Sequence, residues 1–241
     1  VSRLTGHGRP AHEVWLPPLD ESPSVDMLLP DPDWKSPVNR NGQLWMPIGV
    51  IDKPYEQRRD VLIIDLSGAQ GHLAVVGGPQ SGKSTALRTV IMAAAATHTP
   101  EQVQFYCLDF GGGTLAGLAD LPHVGSVAGR LEVDRIRRTI AEINALLHHR
   151  EERFRALGIE SIAEFRKRKE QLSRLPESER RADPVWEDPF GDVFLVVDGW
   201  PTIRAEFDAF EPTLNSLAAQ GLSYGIHLMI SANRWAEIRP A

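Results

Sequence analysis

The chain has 241 residues, room for one large domain or two small ones, and its 42% hydrophobic and 24% charged residues match a globular protein with a sizeable core. Lysine and arginine total 26 against 32 acidic residues, and the resulting charge of −6 disfavours a protein that coats nucleic acid, though not one with a local basic lining. A single cysteine, Cys107, rules out an internal disulfide scaffold; no apolar run approaches the ~20 residues of a membrane-spanning helix, and VSRLTGHGRP holds no apolar signal core, so a soluble cytosolic chain without direct membrane insertion is expected.

Residues 1–43 read as a proline-rich, acidic arm or linker, with Trp15, Trp34 and, at its end, Trp45 as scattered anchors. Proline removes a ladder donor and pushes its predecessor to extended geometry, so little regular structure is expected before Leu44. From there LWMPIGVID and VLIIDL are short apolar runs bounded by proline, aspartate and glycine, the pattern of strands. HLAVVGG leads through a glycine-rich turn into a helical stretch, STALRTVIMAAAATH, and VQFYCLD is a further buried-type strand ending in Asp109. The Gly111-Gly112-Gly113 run after it allows either a close approach to a nucleotide or neighbour, or a flexible turn.

Residues 131–155 have the helical period, with Ile136, Ile140, Ile143, Leu147 and Phe154 on one stripe and Arg135, Arg137, Arg138, Glu142, Arg150 and Glu151 assigned mostly to the opposite, solvated face. His148 and His149 diverge around this helix and suggest no metal. Residues 166–189 mix charges and prolines without an apolar stripe and read as a surface excursion. DVFLVVDGW is a continuous apolar strand; an acidic helical segment and a last strand, IHLMISA, follow. Alternating strands and helices predict a mostly parallel sheet covered on both faces, a three-layer αβα fold over 44–241.

Gly77, Gly78, Pro79, Gln80, Ser81, Gly82, Lys83 and Ser84 fit G-x-x-x-x-G-K-[ST] throughout, and the strand before and helix after are those a P-loop needs. Glycines let the backbone wrap phosphates closely, with N–H groups pointing inward as an anion nest at a helix amino terminus. Lys83 is placed to reach the β/γ-phosphates, Ser84 to ligate Mg²⁺, and Thr85 to touch the α-phosphate. The expected cofactors are ATP and Mg²⁺. A second metal carboxylate belongs at the end of a buried strand, and FLVVD supplies Asp198. Hydrolytic P-loop enzymes of the additional-strand class usually place a glutamate next, to activate water; here Gly199 stands there. Loss of a general base typically lowers rate roughly 10²- to 10⁴-fold, so binding without rapid hydrolysis is expected, and Gly199→Glu is expected to raise turnover if the rest of the site is intact. At the end of IHLMISA, Asn233 is either a sensor of the γ-phosphate or a turn-former.

WLPPL, PIGVIDKPYEQ, GHLAVVGGPQSGKSTALRT, YCLDFGGG with LPHVG, and VVDGW with GIHLMISANRW together resemble the FtsK/SpoIIIE-type ATPase domains, and more narrowly those of the EccC family of type VII (ESX) secretion ATPases. The match runs over residues 14–241, and the VVDGW form most resembles the second ATPase domain of such chains. The resemblance implies an additional-strand, RecA/FtsK-like P-loop fold whose sheet continues past the last strand read here, and hence a piece truncated at its carboxyl end from a multi-ATPase protein. It implies as partners the other ATPase domains of the motor, the secretion-channel components, and small helical Esx/WXG100-type secreted proteins. It implies a cytoplasmic location at the inner face of the membrane, through an anchored partner or preceding domain. It offers Gln57, in Asp52-x-Pro54-x-x-Gln57, as an adenine contact. It also puts Glu160 where a related translocase segment carries an arginine for a neighbour's nucleotide, with Arg166 and Arg168 as nearby substitutes or as members of a solvated face. A DNA translocase and a non-enzymatic module with ATP as structural ligand are the alternatives.

Overall fold

The computed structural model describes residues 6, 16–19, 21–29, 43–68 and 70–238. In chain order the elements are α1 (Val25–Leu28), β1 (Trp45–Lys53), β2 (Arg58–Asp65), β3 (Leu73–Val76), α2 (Lys83–Thr97), β4 (Val103–Asp109), β5 (Val124–Gly129), α3 (Val133–Leu157), α4 (Ile162–Ser173), α5 (Glu177–Ala182), β6 (Asp192–Asp198), α6 (Trp200–Glu206), α7 (Glu211–Gln220) and β7 (Ile226–Ala232). Five strands form one parallel sheet in the order β3-β7-β6-β4-β5. β7 therefore lies between the strand that feeds the P-loop and the strand that ends in Asp198. This is the inserted strand that the resemblance implies.

All seven residues of β6 and of β7 are buried, as a strand with helices on both faces requires. Their side chains alternate between two cores. Val193, Leu195 and Val197 pack with Ile136, Ile140, Ile143 and Leu147 of α3, Ile203 of α6 and Leu214 and Leu217 of α7. Phe194 and Val196 turn the other way, to Leu87, Val90 and Ile91 of α2, Met46 of β1 and Leu44 just before it. Burying each such aliphatic or aromatic side chain contributes about 1.5–3 kcal/mol, so the alternation fixes the register of every central strand.

Four expectations need correction. LWMPIGVID and VLIIDL are strands, but β1 and β2 pair antiparallel with each other and form a separate hairpin packed on α2. β5, within LPHVGSVAG, carries no long β-branched run and was not foreseen; its pairing with β4 makes it a strand. Residues 166–189 are not a surface excursion. They form most of α4, then α5 and a 3-10 turn at Pro184–Glu187, and bury Leu172 and Val185 with Ile162, Phe165, Phe154 and Ile159 in a third cluster. The signal was a cap: the Ser161 hydroxyl accepts from the Glu164 N–H at 3.2 Å, ahead of an apolar stripe at 162, 165 and 172. Finally, Arg150 does not face solvent. It is 0% exposed and bridges Asp188, while its guanidinium also donates to the Tyr224, Phe190 and Gly191 carbonyls.

Before Leu44, α1 is one short helical turn whose Leu28 is buried, and Arg59 donates to the Pro17 carbonyl, so the described part of the arm lies on the domain. Trp15 and Trp34 lie outside the described residues.

Candidate nucleotide site

The carboxyl ends of parallel strands, where a doubly covered α/β sheet places its ligands, are where the predicted residues meet. β3 ends at Val76, and Gly77 N–H donates to the Ala232 carbonyl of β7 at 3.1 Å, which ties the start of the P-loop to the inserted strand. Gly78, Pro79, Gln80, Ser81 and Gly82 are exposed, and Lys83, Ser84 and Thr85 form the first turn of α2, with Gly82 as its N-cap. First-turn N–H groups have no intrahelical acceptor, so this end of α2 presents donors and a partial positive charge to an anion. The Lys83 ammonium donates to the Gly77 and Gly78 carbonyls, each at 2.8 Å. Both bonds hold the cation over the loop, where a phosphate oxygen can take it.

Asp198 closes β6 and is only 2% exposed. Its Oδ1 accepts from the Ser231 hydroxyl at 2.5 Å, and its Oδ2 is buried without a hydrogen-bond partner among the described residues. A buried carboxylate oxygen left unpaired is costly unless a cation or its water meets it. Magnesium takes oxygen ligands and is held in P-loop proteins by a P-loop hydroxyl and a strand-end aspartate, so Ser84 and the unpaired oxygen of Asp198 fit the metal in kind. Among the described residues no group of three or more His, Cys, Asp or Glu side chains could hold a metal by itself.

The three-glycine run resolves as a close approach. A Cβ on Gly111 would stand 2.3 Å from Asp198 Oδ2, so only glycine lets this backbone cover the carboxylate. Asp109 holds the turn: its Oδ1 accepts from the N–H groups of Gly111 and Gly113 (3.2 and 3.1 Å), and its Oδ2 from that of Leu115 (2.8 Å). Gly199 has φ +99°, and a Cβ there would lie 3.1 Å from Phe110 Cβ. The position after Asp198, where a water-activating side chain is missing, thus has a backbone that L side chains rarely adopt, against a crowded neighbour.

Asn233 follows β7, is exposed, and donates its backbone N–H to Glu237 at 2.8 Å. The polar side chain of this strand end that touches the site's carboxylate is Ser231, which the sequence reading passed over for Asn233; the signal was a hydroxyl near the end of a buried strand run. Gln57 lies at the tip of the β1–β2 hairpin, in the left-handed region at φ 49°. Neither Arg166 nor Arg168 is spare: Arg166, largely buried, grips both oxygens of Asp192 (2.7 and 2.6 Å) and the Ser67 carbonyl, and Arg168, partly exposed, pairs with Asp183. Asp192 starts β6, so Arg166 stands at the end of the sheet opposite the P-loop. A cleft of about 400 Å³ lies at that end too, lined by Phe165, Lys169, Trp186 and Asp192. Burial pushes the Lys169 ammonium down to about 8. Strand direction separates this cleft from the P-loop chemistry.

The described residues contain no helix long and apolar enough to cross a membrane. The model of the FtsK/SpoIIIE family matches residues 40–241. Over its whole length the chain is 53% identical to the ESX-4 secretion system protein EccC4 of Mycobacterium tuberculosis, of which it spans 18%. Two solved structures from Thermomonospora curvata are similar: the cytoplasmic domain of the type VII secretion ATPase EccC (51% identity, TM-score 0.89, 99% of this chain and 27% of that one), and EccC ATPases 2 and 3 in complex with a signal sequence peptide (52% identity, TM-score 0.82, 93% and 40%). With an inserted-strand sheet, a P-loop and a strand-end aspartate in the arrangement just described, and a family match over most of its length, the chain belongs to the FtsK/SpoIIIE family.

Proposed function

We propose that the chain is an ATP-binding, weakly hydrolysing module of a type VII secretion motor. One observation carries the reading: an open P-loop stands on the same sheet edge as an aspartate with a free buried oxygen, while the next position is a left-handed glycine packed on Phe110. The first two features favour Mg·ATP binding, and the third removes the side chain that would activate water.

In this reading the N–H groups of Gly78 to Ser84 and the Lys83 ammonium bind and orient the phosphates. Ser84 and Asp198 hold the metal, which when bound neutralises phosphate charge and fixes its orientation. Thr85 reaches the α-phosphate, Asn233 reads the γ-phosphate, and Gln57 contacts the adenine. The domain is residues 44–241, with 1–43 as a proline-rich arm or linker. Similarity to EccC, whose ATPases 2 and 3 are seen with a signal sequence peptide, supports the companion assignments. The partners are other ATPase domains of the motor, secretion-channel components and Esx/WXG100-type secreted proteins, on the cytoplasmic side of the membrane.

The test is nucleotide binding followed by thermal unfolding. A ligand that binds only the native state raises stability by about 2.7 kcal/mol at 100 times its Kd. Mg·ATP should raise the melting temperature of the unaltered chain and leave that of Lys83→Ala nearly unmoved. An equal rise in both would remove the P-loop from the account.

A further inference from the structure

β7 contributes more than an inserted strand. Ser231 pairs in register with Val75 of β3, and its neighbour Ile230 pairs with Val197 of β6, so Ser231 stands between the P-loop strand and the end of the Asp198 strand. It is 1% exposed. Its Oγ accepts from the Gly199 N–H at 2.8 Å and lies 2.5 Å from Asp198 Oδ1. A hydroxyl has one proton, and an ionised carboxylate only accepts. With the Gly199 N–H donating to Oγ, the hydroxyl proton is committed to Asp198 Oδ1. Oδ1 thus has a hydrogen bond, and Oδ2, buried and without a partner among the described residues, is the oxygen that a metal or its water would satisfy.

We infer that Ser231 is a positioning residue for metal-bound nucleotide: its hydroxyl clamps Asp198 Oδ1 and the Gly199 peptide together, and so selects Oδ2 as the oxygen that serves the cation. The terminal torsion of an aspartate is broad and roughly two-fold, and hydrogen bonds fix it where its own rotamer preference does not. The Ser231 hydroxyl on one side and the Gly111 backbone on the other supply that constraint here. The same clamp gives a buried hydroxyl in β7 its partners. Ser231 acts through Asp198 and is not itself a phosphate contact. The inference rests on the Mg·nucleotide reading above.

The test measures the affinity of a fluorescent ATP analogue for the purified chain with excess EDTA and again with Mg²⁺; the ratio of the two is the gain from metal. In Ser231→Ala the metal-free affinity should stay within about twofold of the unaltered chain, while the gain from Mg²⁺ falls about tenfold. Ser231→Thr keeps the hydroxyl and should retain most of the gain. If Ser231→Ala does not fold, Ser231→Cys preserves the volume with a much weaker donor and is scored in the same way. A full gain from Mg²⁺ in the alanine variant overturns the inference. So does an equal loss of metal-free and metal-bound affinity, which marks a structural role, or a folded threonine variant without the gain. If the unaltered chain gains nothing from Mg²⁺, the nucleotide reading itself fails and the clamp falls with it.

Discussion

Asp109 and Asp198 are register partners at the ends of neighbouring parallel strands, and their carboxylates have opposite fates. Asp109 accepts three backbone N–H bonds from the turn that follows it. Asp198 keeps one oxygen without a partner among the described residues. Each sits at the end of an apolar run, yet one caps a turn and the other keeps an unpaired buried oxygen. The first shapes the backbone that covers the second.

Asp109→Asn and Asp198→Asn should therefore fail differently. Replacing Asp109, itself buried, weakens its charge-assisted bonds to the turn that follows and should lower stability by about 1–3 kcal/mol. Replacing Asp198 should leave the fold and the metal-free nucleotide affinity nearly intact and remove most of the benefit of Mg²⁺. Urea unfolding and nucleotide titration on both variants separate the two. The reverse pattern would exchange their roles.

Gly199→Glu does not simply restore a lost base. A non-glycine residue in the left-handed region costs of order 1–3 kcal/mol, and the new Cβ meets Phe110. The variant should melt several degrees lower, since about 1 kcal/mol shifts a domain of this size by ~2–4 °C. Phosphate release should not rise to the level of a hydrolytic relative. A variant as stable as the unaltered chain and faster in turnover would show that the backbone relaxes freely.

Arg150→Met should be among the most damaging single changes outside the site. It leaves Asp188, 3% exposed, without its ion-pair partner and takes a donor from three carbonyls, of which that of Phe190 keeps Lys169. Breaking one side of a buried ion pair typically costs 3–5 kcal/mol. Thermal unfolding checks this. A loss below ~1 kcal/mol would mean that water replaces the guanidinium.

Stability should fall with acid in two steps. Burial pushes the His98 and His123 imidazoles below their ordinary value, and bonds to backbone carbonyls offset this only in part. The unfolded chain then takes up protons below about pH 6.5 that the folded chain refuses, so stability is full above that pH and declines beneath it. Burial pushes the Asp192 carboxyl up, but the His227 hydrogen bond and the Arg166 guanidinium overcome this and hold it well below the carboxylate range. Its contribution is present above about pH 4 and is lost as pH falls further. Melting temperature measured from pH 8 to pH 3 should show both steps; a flat profile between pH 8 and pH 5 would contradict the histidine assignment.

Where it rests on local backbone chemistry, the candidate site is legible in the sequence. Gly77 to Thr85 fix a P-loop because phosphate binding needs N–H groups, small residues and a lysine in a row, and Asp198 follows from the apolar run before it. What escaped the sequence reading is set by tertiary contact. Arg150 lies on a helix whose charge pattern suggests a wet face, and Asp188, far along the chain, makes its burial possible. Residues 166–189 have too few apolar positions to announce a packed unit, and only the Ser161 cap marks the start of the helix. Ser231 looks like one small polar residue in a strand until Gly199 and Asp198 are seen on either side of its hydroxyl. The hairpin strands β1 and β2 carry the apolar pattern of the main sheet, and nothing in that pattern states which partner each will choose.

The most direct test of the central claim is steady-state phosphate release by the purified chain at a Mg·ATP concentration that saturates binding, compared with Lys83→Ala. Lys83-dependent binding with turnover at least roughly 10²-fold below the ~10 s⁻¹ of a typical enzyme is the predicted result. Turnover near that typical rate, abolished in Lys83→Ala, would contradict it.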